Sequence, residues 1–405
     1  MDNVTHALAG CLLAGVAIAA REQKEGSSSP AFRVAATSIG LIAAELPDAD
    51  LLYAGNALGM GKLGYLLHHR GYTHTVVFAI AGALLVWGVV LLVRPNLRQL
   101  ELRNALLTVA LAGTFSHLLL DFGNSYGVHP FWPFNDDWYY GDSIFIVEPW
   151  LWVAALPALF LFTNRRGART VFGALLVIIV VAAWFVPMVG TASALALTVG
   201  SVVGVLALTR IKPGYRIPSA IVAWLAIDVV FGSASFIARR EVRSAVAPQK
   251  YLAVALTPFV SNPLCFSAQI VQVDGKTLRI TRAAVAPFPW IRDVSHCSDE
   301  RGAIDAAAIV NARATSRAVA FGGTWSAPGA ELRTLVAINC EIAAAMRFIR
   351  VPQWAFGERG AVTISDARFG EGGGGFAEIA SHTPPASCPR FVPPWTPPRA
   401  DLLGY

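Results

Sequence analysis

Residues 170–209 read TVFGALLVIIVVAAWFVPMVGTASALALTVGSVVGVLALT, an uninterrupted run between Arg169 and Arg210 with no charged side chain. A helix needs about 20 apolar residues to cross a bilayer, so this run is long enough for two spans. Pro187 and Gly190 mark the turn between them. The rest of the chain agrees with a membrane reading. Of 405 residues, 55% are hydrophobic and 14% charged, whereas a soluble protein carries about 25% charged residues. That excludes a conventional soluble enzyme, and high hydrophobicity with low charge excludes disorder. The net charge of +6 would suggest nucleic acid in a soluble protein. Here the basic residues punctuate apolar runs and set membrane orientation instead. The expected partner is the lipid bilayer, with no nucleic acid.

Further apolar segments extend the pattern on both sides. Thr75–Val93 and Ile217–Ala238 are clear spans, the second interrupted by Asp228. Weaker ones are Val4–Ala20, Val34–Leu52, Asn104–Phe122 and Pro149–Thr163. The reading is an all-α polytopic membrane helix bundle of about eight transmembrane helices over residues 1–245. A C-terminal α+β soluble domain follows over residues 246–405. The first segment has no basic n-region, and its positive charge follows the apolar run, so it reads as a span and not as a cleavable signal peptide.

Basic residues give the orientation. Arg21, Lys24, Arg33, Arg94, Arg98, Arg103, Arg165, Arg166, Arg169, Arg210, Lys212 and Arg216 all fall in alternate loops. The intervening loops hold Lys62, Arg70 and several acids. The positive-inside rule then places the N-terminus and the C-terminal domain on the extracytoplasmic side. Arg239, Arg240 and Arg243 run against this, but large domains translocate despite such charge. Four of the five cysteines, Cys265, Cys297, Cys340 and Cys388, lie in the C-terminal segment. In an oxidising compartment they would form disulfides, in one of three connectivities.

In that segment, 268–273 and 277–281 alternate around Asp274-Gly275, a hairpin signature. Residues 302–317 read as a helix, and 346–351, 362–367 and 376–380 as strands. The glycine run 372–375 reads as a loop, and the tail from Pro384 as extended.

The informative residues are polar ones at span ends: Thr5-His6, Glu45-Leu-Pro47-Asp48-Ala-Asp50, His68-His69-Arg70-Gly71-Tyr-Thr73-His74, His117-Leu-Leu-Leu-Asp121 and Tyr126-Gly127-Val-His129. In the topology above, all of them fall at the same end of the bundle. His117 and Asp121 are four apart and share a helix face. Pro47 should break its helix and turn Asp48 and Asp50 toward the site. His69 and His74 fit a loop-to-helix turn, with Gly71 supplying the bend. Imidazole with carboxylate suits zinc, and manganese or iron less specifically. The number of ligands suggests two or three divalent ions. One His-x-x-x-Asp alone is a weak signal, but intramembrane ionisable residues are rare and usually functional. His129 reads as a rim residue, Asp228 as structural, and His296 and His382 as surface residues.

With these residues assembled, the first 150 or so positions resemble the bacterial inner-membrane metal-dependent hydrolases of the YdjM type. The resemblance rests on Met1-Asp-Asn-Val-Thr5-His6, Leu46-Pro47-Asp48-Ala-Asp50, His69-Arg70-Gly71-Tyr-Thr73-His74-Thr75, His117-x-x-x-Asp121, Tyr126-Gly127 and Pro133-Phe134. Thr75 stands where a Ser is usual, and Glu148 where an Asp is usual. More loosely, the order of ligands is similar to that of zinc-dependent phospholipase C and P1-type nucleases. The resemblance implies a bacterial inner-membrane location and a metal site of His6, Asp48, His69, His74, His117 and Asp121.

The leading expectation is a membrane hydrolase acting on a phosphoester or lipid-linked substrate, with Asp50 as base and Arg70 as a bidentate phosphate clamp. Two other classes compete: a transporter or metal-handling protein, and a non-catalytic scaffold with structural metal. A transporter would distribute its polar groups through the bilayer depth. The charge asymmetry gives the first test: a C-terminal alkaline phosphatase fusion should be active and a C-terminal fluorescent-protein fusion dark. The reverse pattern would sink the topology.

Overall fold

The computed structural model describes residues 1–247, 250–298, 313–370, 375–385 and 387–404. Ten helices precede the first strand: α1 (Asn3–Glu25), α2 (Pro30–Glu45), α3 (Leu51–Ala54), α4 (Gly61–His68), α5 (Val76–Val93), α6 (Leu100–Gly123), α7 (Pro149–Phe162), α8 (Arg166–Phe185), α9 (Thr191–Arg210) and α10 (Pro213–Val246). The uncharged run resolves into α8 and α9, parted at Val186–Gly190 as Pro187 requires. Each of the eight apolar segments is helical. Among the described residues, six of these helices are long and apolar enough to cross a membrane: α1, α5, α6, α8, α9 and α10.

The other two fall short of the span length expected of them. α7 has 14 residues, about 21 Å, against a hydrocarbon core of about 30 Å. α2 has 16 residues, because Pro47 ends it: the chain leaves Glu45 into a 3-10 turn over Leu46–Asp50. No residue of α7 is exposed, and α2 packs one face against α1, α5 and α6, so neither helix has to match the bilayer alone. α1 and α2 cross at Gly10 and Gly40, where a methyl group on either would overlap the carbonyl oxygen of the other. Small residues permit this close approach, and close packing is what holds helices together in lipid. α6 lies against the end of α2 in the same way, with Gly113 over Ala43 and Ala44.

Beyond α10 the chain turns to sheet. Strands β1 (Ala253–Phe259), β2 (Asn262–Asp274), β3 (Thr277–Val285), β4 (Arg313–Ala314) and β5 (Val319–Pro328) form one antiparallel sheet in the order β1-β2-β3-β5-β4. The β2–β3 hairpin turns at Gly275, in the left-handed conformation (φ 60°), as the Asp-Gly signature predicts. A second sheet joins β6 (Pro352–Phe356), β7 (Ala361–Asp366) and β8 (Glu378–His382). The strand expected at 346–351 is corrected: Met346–Phe348 form a turn and the strand begins at Pro352. Of the helix expected at 302–317, residues 302–312 lie outside the described residues, and the rest is corrected: Arg313–Ala314 are a strand paired with β5. Most of the 372–375 loop also lies outside the described residues.

Several contacts fasten the sheet domain to the membrane part. Ala234, Ala238, Val242 and Val246 of α10 pack with Val254, Leu256 and Ile270 in one apolar core. Asp142, buried in a left-handed conformation (φ 52°), accepts from Arg239 Nη2 at 2.6 Å and from Arg350 Nη1 at 2.8 Å. Burial works against that charge, but the two guanidinium groups hold the Asp142 carboxyl below the usual carboxylate range. Glu148 caps α7 by accepting from Trp150 N at 3.2 Å, and it also accepts from Ser261 N at 3.2 Å. Burial pushes its carboxyl up to about 8.

Two disulfides staple the C-terminal domain, Cys265–Cys297 and Cys340–Cys388; Cys11 is free. Non-reducing peptide mapping should therefore recover these two linked pairs. Thiol labelling of denatured, unreduced protein should modify Cys11 alone, and labelling of all five cysteines would refute the pairing.

Candidate metal centre

Four elements deliver the side chains. Asp2 caps α1, accepting from Thr5 N at 3.0 Å, and so fixes His6 on the first turn. The 3-10 turn after α2 carries Asp48 and Asp50 inward, where both are buried. The turn between α4 and α5 carries His69, Arg70 and His74. α6 carries His117 and Asp121 on its buried face.

The α4–α5 turn differs in one respect from its sequence reading. The left-handed residue is Arg70 (φ 64°), and Gly71 is not. Gly71 is required for space: a Cβ there would lie 3.0 Å from the His68 carbonyl oxygen and 3.1 Å from the Trp395 ring.

Asp48, His74, His117 and Asp121 bring one ligand atom each to within 4.8 Å of one another, and all four are buried. The protonation pattern follows from their outer partners. His117 Nδ1 lies 2.6 Å from the Ala44 carbonyl oxygen, which can only accept, so Nδ1 carries the proton and Nε2 presents a lone pair. His74 Nδ1 faces Asp50 Oδ2 at 3.3 Å, with the same consequence. The two Nε2 atoms are 3.0 Å apart. His74 Nε2 is 3.0 Å from Asp121 Oδ2 and 3.3 Å from Asp48 Oδ1, and His117 Nε2 is 3.4 Å from both. Neither Asp48 Oδ1 nor Asp121 Oδ2 has a hydrogen-bond partner. Lone pairs and carboxylate oxygens thus converge with no proton between them. A divalent cation satisfies that arrangement, and burial without one would be costly.

Asp50 works from behind the histidines. Its carboxylate meets His69 Nδ1 at 3.0 Å, accepts from Arg70 N at 2.9 Å and from Thr73 Oγ1 at 2.8 Å, and faces His74. Burial opposes its charge, yet the bonds from His69 and His74 hold its carboxyl well below the usual carboxylate range. A carboxylate that orients an imidazole in this way also raises its basicity toward a metal. Asp48, Asp50 and His69 make a second group of possible ligands, sharing Asp48 with the first.

The remaining candidates are placed around this core. His6 stacks on His117 with ring centroids 3.6 Å apart, and its Nε2 is 3.4 Å from Asp121 Oδ1. It belongs to neither ligand group. Asp121 Oδ1 also meets Arg70 Nη2 at 3.0 Å and the Met1 amino group. Arg70 Nη1 donates to Asn124 Oδ1 at 2.8 Å, and its guanidinium lies over the Tyr126 ring. Both terminal nitrogens of Arg70 are therefore engaged inside the protein, and a bidentate clamp on phosphate would have to exchange those contacts.

His129 does not join the site. It sits between Trp138 and Trp395, each ring 3.8 Å away, and burial pushes its imidazole down to about 3. The Met1 amine and Asn124 escaped the sequence reading. Neither lies in a spacing pattern; only their contact with Asp121 and Arg70 reveals them.

Comparison with known proteins bears on the membrane half. The chain is 27% identical over 183 residues to "Uncharacterized protein YfhP" of Bacillus subtilis (strain 168), covering 44% of this chain and 52% of that protein. It thus spans about half the length of that relative. No solved structure matches. Residues 1–191, which carry every residue of the cluster, match the family described as YdjM inner membrane protein.

Proposed function

We propose that this protein is a membrane-bound, metal-dependent hydrolase acting on a phosphoester or lipid-linked substrate at the extracytoplasmic face of the inner membrane. The observation that carries the reading is the convergence of Asp48, His74, His117 and Asp121 on one buried point. Zinc is the proposed metal, because two imidazoles and two carboxylates suit it. Held by Asp48, His74, His117 and Asp121, such an ion would supply Lewis acidity, polarising a phosphoryl oxygen and lowering the pKa of water to about 7. The YdjM match supports the inner-membrane location, and the two disulfides support an oxidising compartment for the C-terminal domain.

In this reading the protein's own groups have distinct tasks. Asp48 and Asp121 would neutralise the cation, and His74 and His117 would fix its position. Asp50 holds the His69 and His74 rings in the correct tautomer, which is a more constrained role than a free base would have. Arg70 and the Met1 amine hold Asp121 Oδ1, so that Oδ2 faces the imidazoles. His6 and His69 complete the proposed ligand set at its edges, and the second ligand group leaves room for a second ion. The reaction is hydrolysis: a water oxygen bonds phosphorus, the ester P–O bond breaks, and a proton passes to the leaving alkoxide. A transporter reading is weaker because, apart from Asp228, the polar groups gather at one end of the bundle.

Metal content and turnover of phosphodiester and phospholipid substrates, measured on the same purified samples, test the proposal. His117→Ala and Asp121→Ala should lose metal and turnover together. If His117→Ala keeps its full metal complement and activity, the scaffold or transporter readings move ahead.

The orienting residues should separate from the ligands. Asp50→Asn should weaken metal affinity by about 10–100-fold, the usual effect of losing an outer hydrogen-bond partner. Arg70→Lys should retain metal while turnover falls on the order of 10²-fold, because an ammonium cannot replace the guanidinium fork on Asp121 and Asn124. Equal loss of metal in Arg70→Lys and His117→Ala would show that Arg70 is needed to build the site and does not merely tune it.

A further inference from the structure

Asp228 is the one acid in the apolar middle of α10, and the cluster makes no use of it. Among the described residues it has no hydrogen-bonding or ionic partner. An unpaired carboxyl within a membrane span is costly and marks a functional position by default. It lines a cavity of about 400 Å³, within the usual range for small-ligand sites. α6 and α10 both pack on α1, and the cavity lies between them. Its walls are stripes at helical spacing: Ala9, Leu12 and Leu13 of α1; Ser116, Leu119, Leu120 and Gly123 of α6; Ile221, Trp224, Leu225 and Asp228 of α10.

The helix directions order this cavity. α6 ends at Gly123 beside the cluster, and Ser143 N donates to the Gly123 carbonyl. Ser235 of α10 donates to the Asp142 carbonyl, so the C-terminal half of α10 lies at the same end. Asp228 is therefore the α10 lining residue nearest the cluster, about two turns before Ser235 on the same helix, and Ile221 is the farthest. Asp228 and Ser143 lie toward the cluster end, and hydrocarbon lines the remainder apart from Ser116, whose hydroxyl is spent on the Gly113 carbonyl. On α6 the lining residues alternate with His117 and Asp121 along the same two turns. Leu119 and Leu225 are exposed on helices that face lipid, so the cavity opens toward acyl chains.

We propose that this cleft seats one alkyl chain of a lipid, with Asp228 exchanging a hydrogen bond with the ester or amide that joins the chain to its headgroup. The headgroup phosphate then lies toward Asp121. This last direction, and the substrate class that follows, rest on the hydrolase reading; the chain seat does not. The site assigns the substrate class: a phosphate-headed lipid entering sideways from the bilayer, and not a soluble phosphoester.

The test uses the full chain in phosphatidylethanolamine nanodiscs containing a trace of the same lipid with a diazirine on one acyl chain. After illumination, adducts are mapped by mass spectrometry. Labelling at Leu13, Leu120 and Trp224 should exceed that at the lipid-facing Val177 and Val181 of α8 several-fold. Leu13→Trp should fill the cleft and remove the excess while metal content is unchanged. Leu225→Trp, on a different helix, serves if Leu13→Trp fails to fold. Asp228→Leu should lower cleft labelling several-fold and Asp228→Asn should restore it. Equal labelling of the cleft and α8 would mean contact with surrounding lipid only and would overturn the proposal. Unchanged labelling in Asp228→Leu would overturn the part given to Asp228. Turnover is not the readout, so failure of the hydrolase reading and failure of this one are distinguishable.

Discussion

Asp121 is the contact on which the arrangement depends. It is fully buried on α6, and its two oxygens face opposite ways. Oδ1 gathers the Met1 amine, Arg70 and the edge of His6; Oδ2 faces His74 and His117. One carboxylate thereby connects α1, α6 and the α4–α5 turn. A buried charge is tolerated only when paired and hydrogen-bonded, so these three elements cannot move apart without stranding it. The close crossings at Gly10, Gly40 and Gly113 follow from the same demand, because they let α1, α2 and α6 approach closely enough for side chains this short to meet.

Among the described residues, the C-terminal domain completes the site's surroundings without supplying a member of the ligand groups. Trp395 stacks on His129, packs on Tyr72, and donates from Nε1 to the Leu67 carbonyl at 2.7 Å. His68 Nε2 meets the Phe391 carbonyl oxygen at 2.7 Å. The extended tail is thus clamped across the turn that carries His69, Arg70 and His74. Arg368 donates to the Ser125 carbonyl just beyond Asn124, and Phe376 packs on Tyr65 and Tyr126. Together with the Asp142 ion pairs, these contacts tie the loops of the membrane part to the C-terminal domain. A ligand set built on loops needs such support to keep its geometry.

The family likeness covers residues 1–191, and the cleft lined by Asp228 is only partly inside that stretch. Its α1 and α6 walls belong to the matched half, whereas the α10 wall lies beyond it. The proposed metal chemistry and the proposed lipid seat therefore rest on different portions of the chain.

Sequence alone determined the apolar segments, the position of the Pro47 break, the Asp274-Gly275 hairpin and the shared helix face of His117 and Asp121. These are local properties: runs of hydrophobicity, a missing N–H, a turn that needs positive φ, and a four-residue helical spacing. Tertiary structure decided what distant parts of the chain do to one another. It packed the short α2 and α7 against their neighbours, and selected one disulfide connectivity of three. It placed the left-handed turn on Arg70, where Asp50 receives its backbone N–H. It turned the Arg70 fork onto Asp121 and Asn124, and set His129 among tryptophans away from the ligands. No spacing in the sequence encodes the pairing of Asp142 with Arg350 or of Asp121 with the Met1 amine. Those pairs exist because a buried carboxylate must find a donor, and which donor is in reach is settled only when the helices have packed.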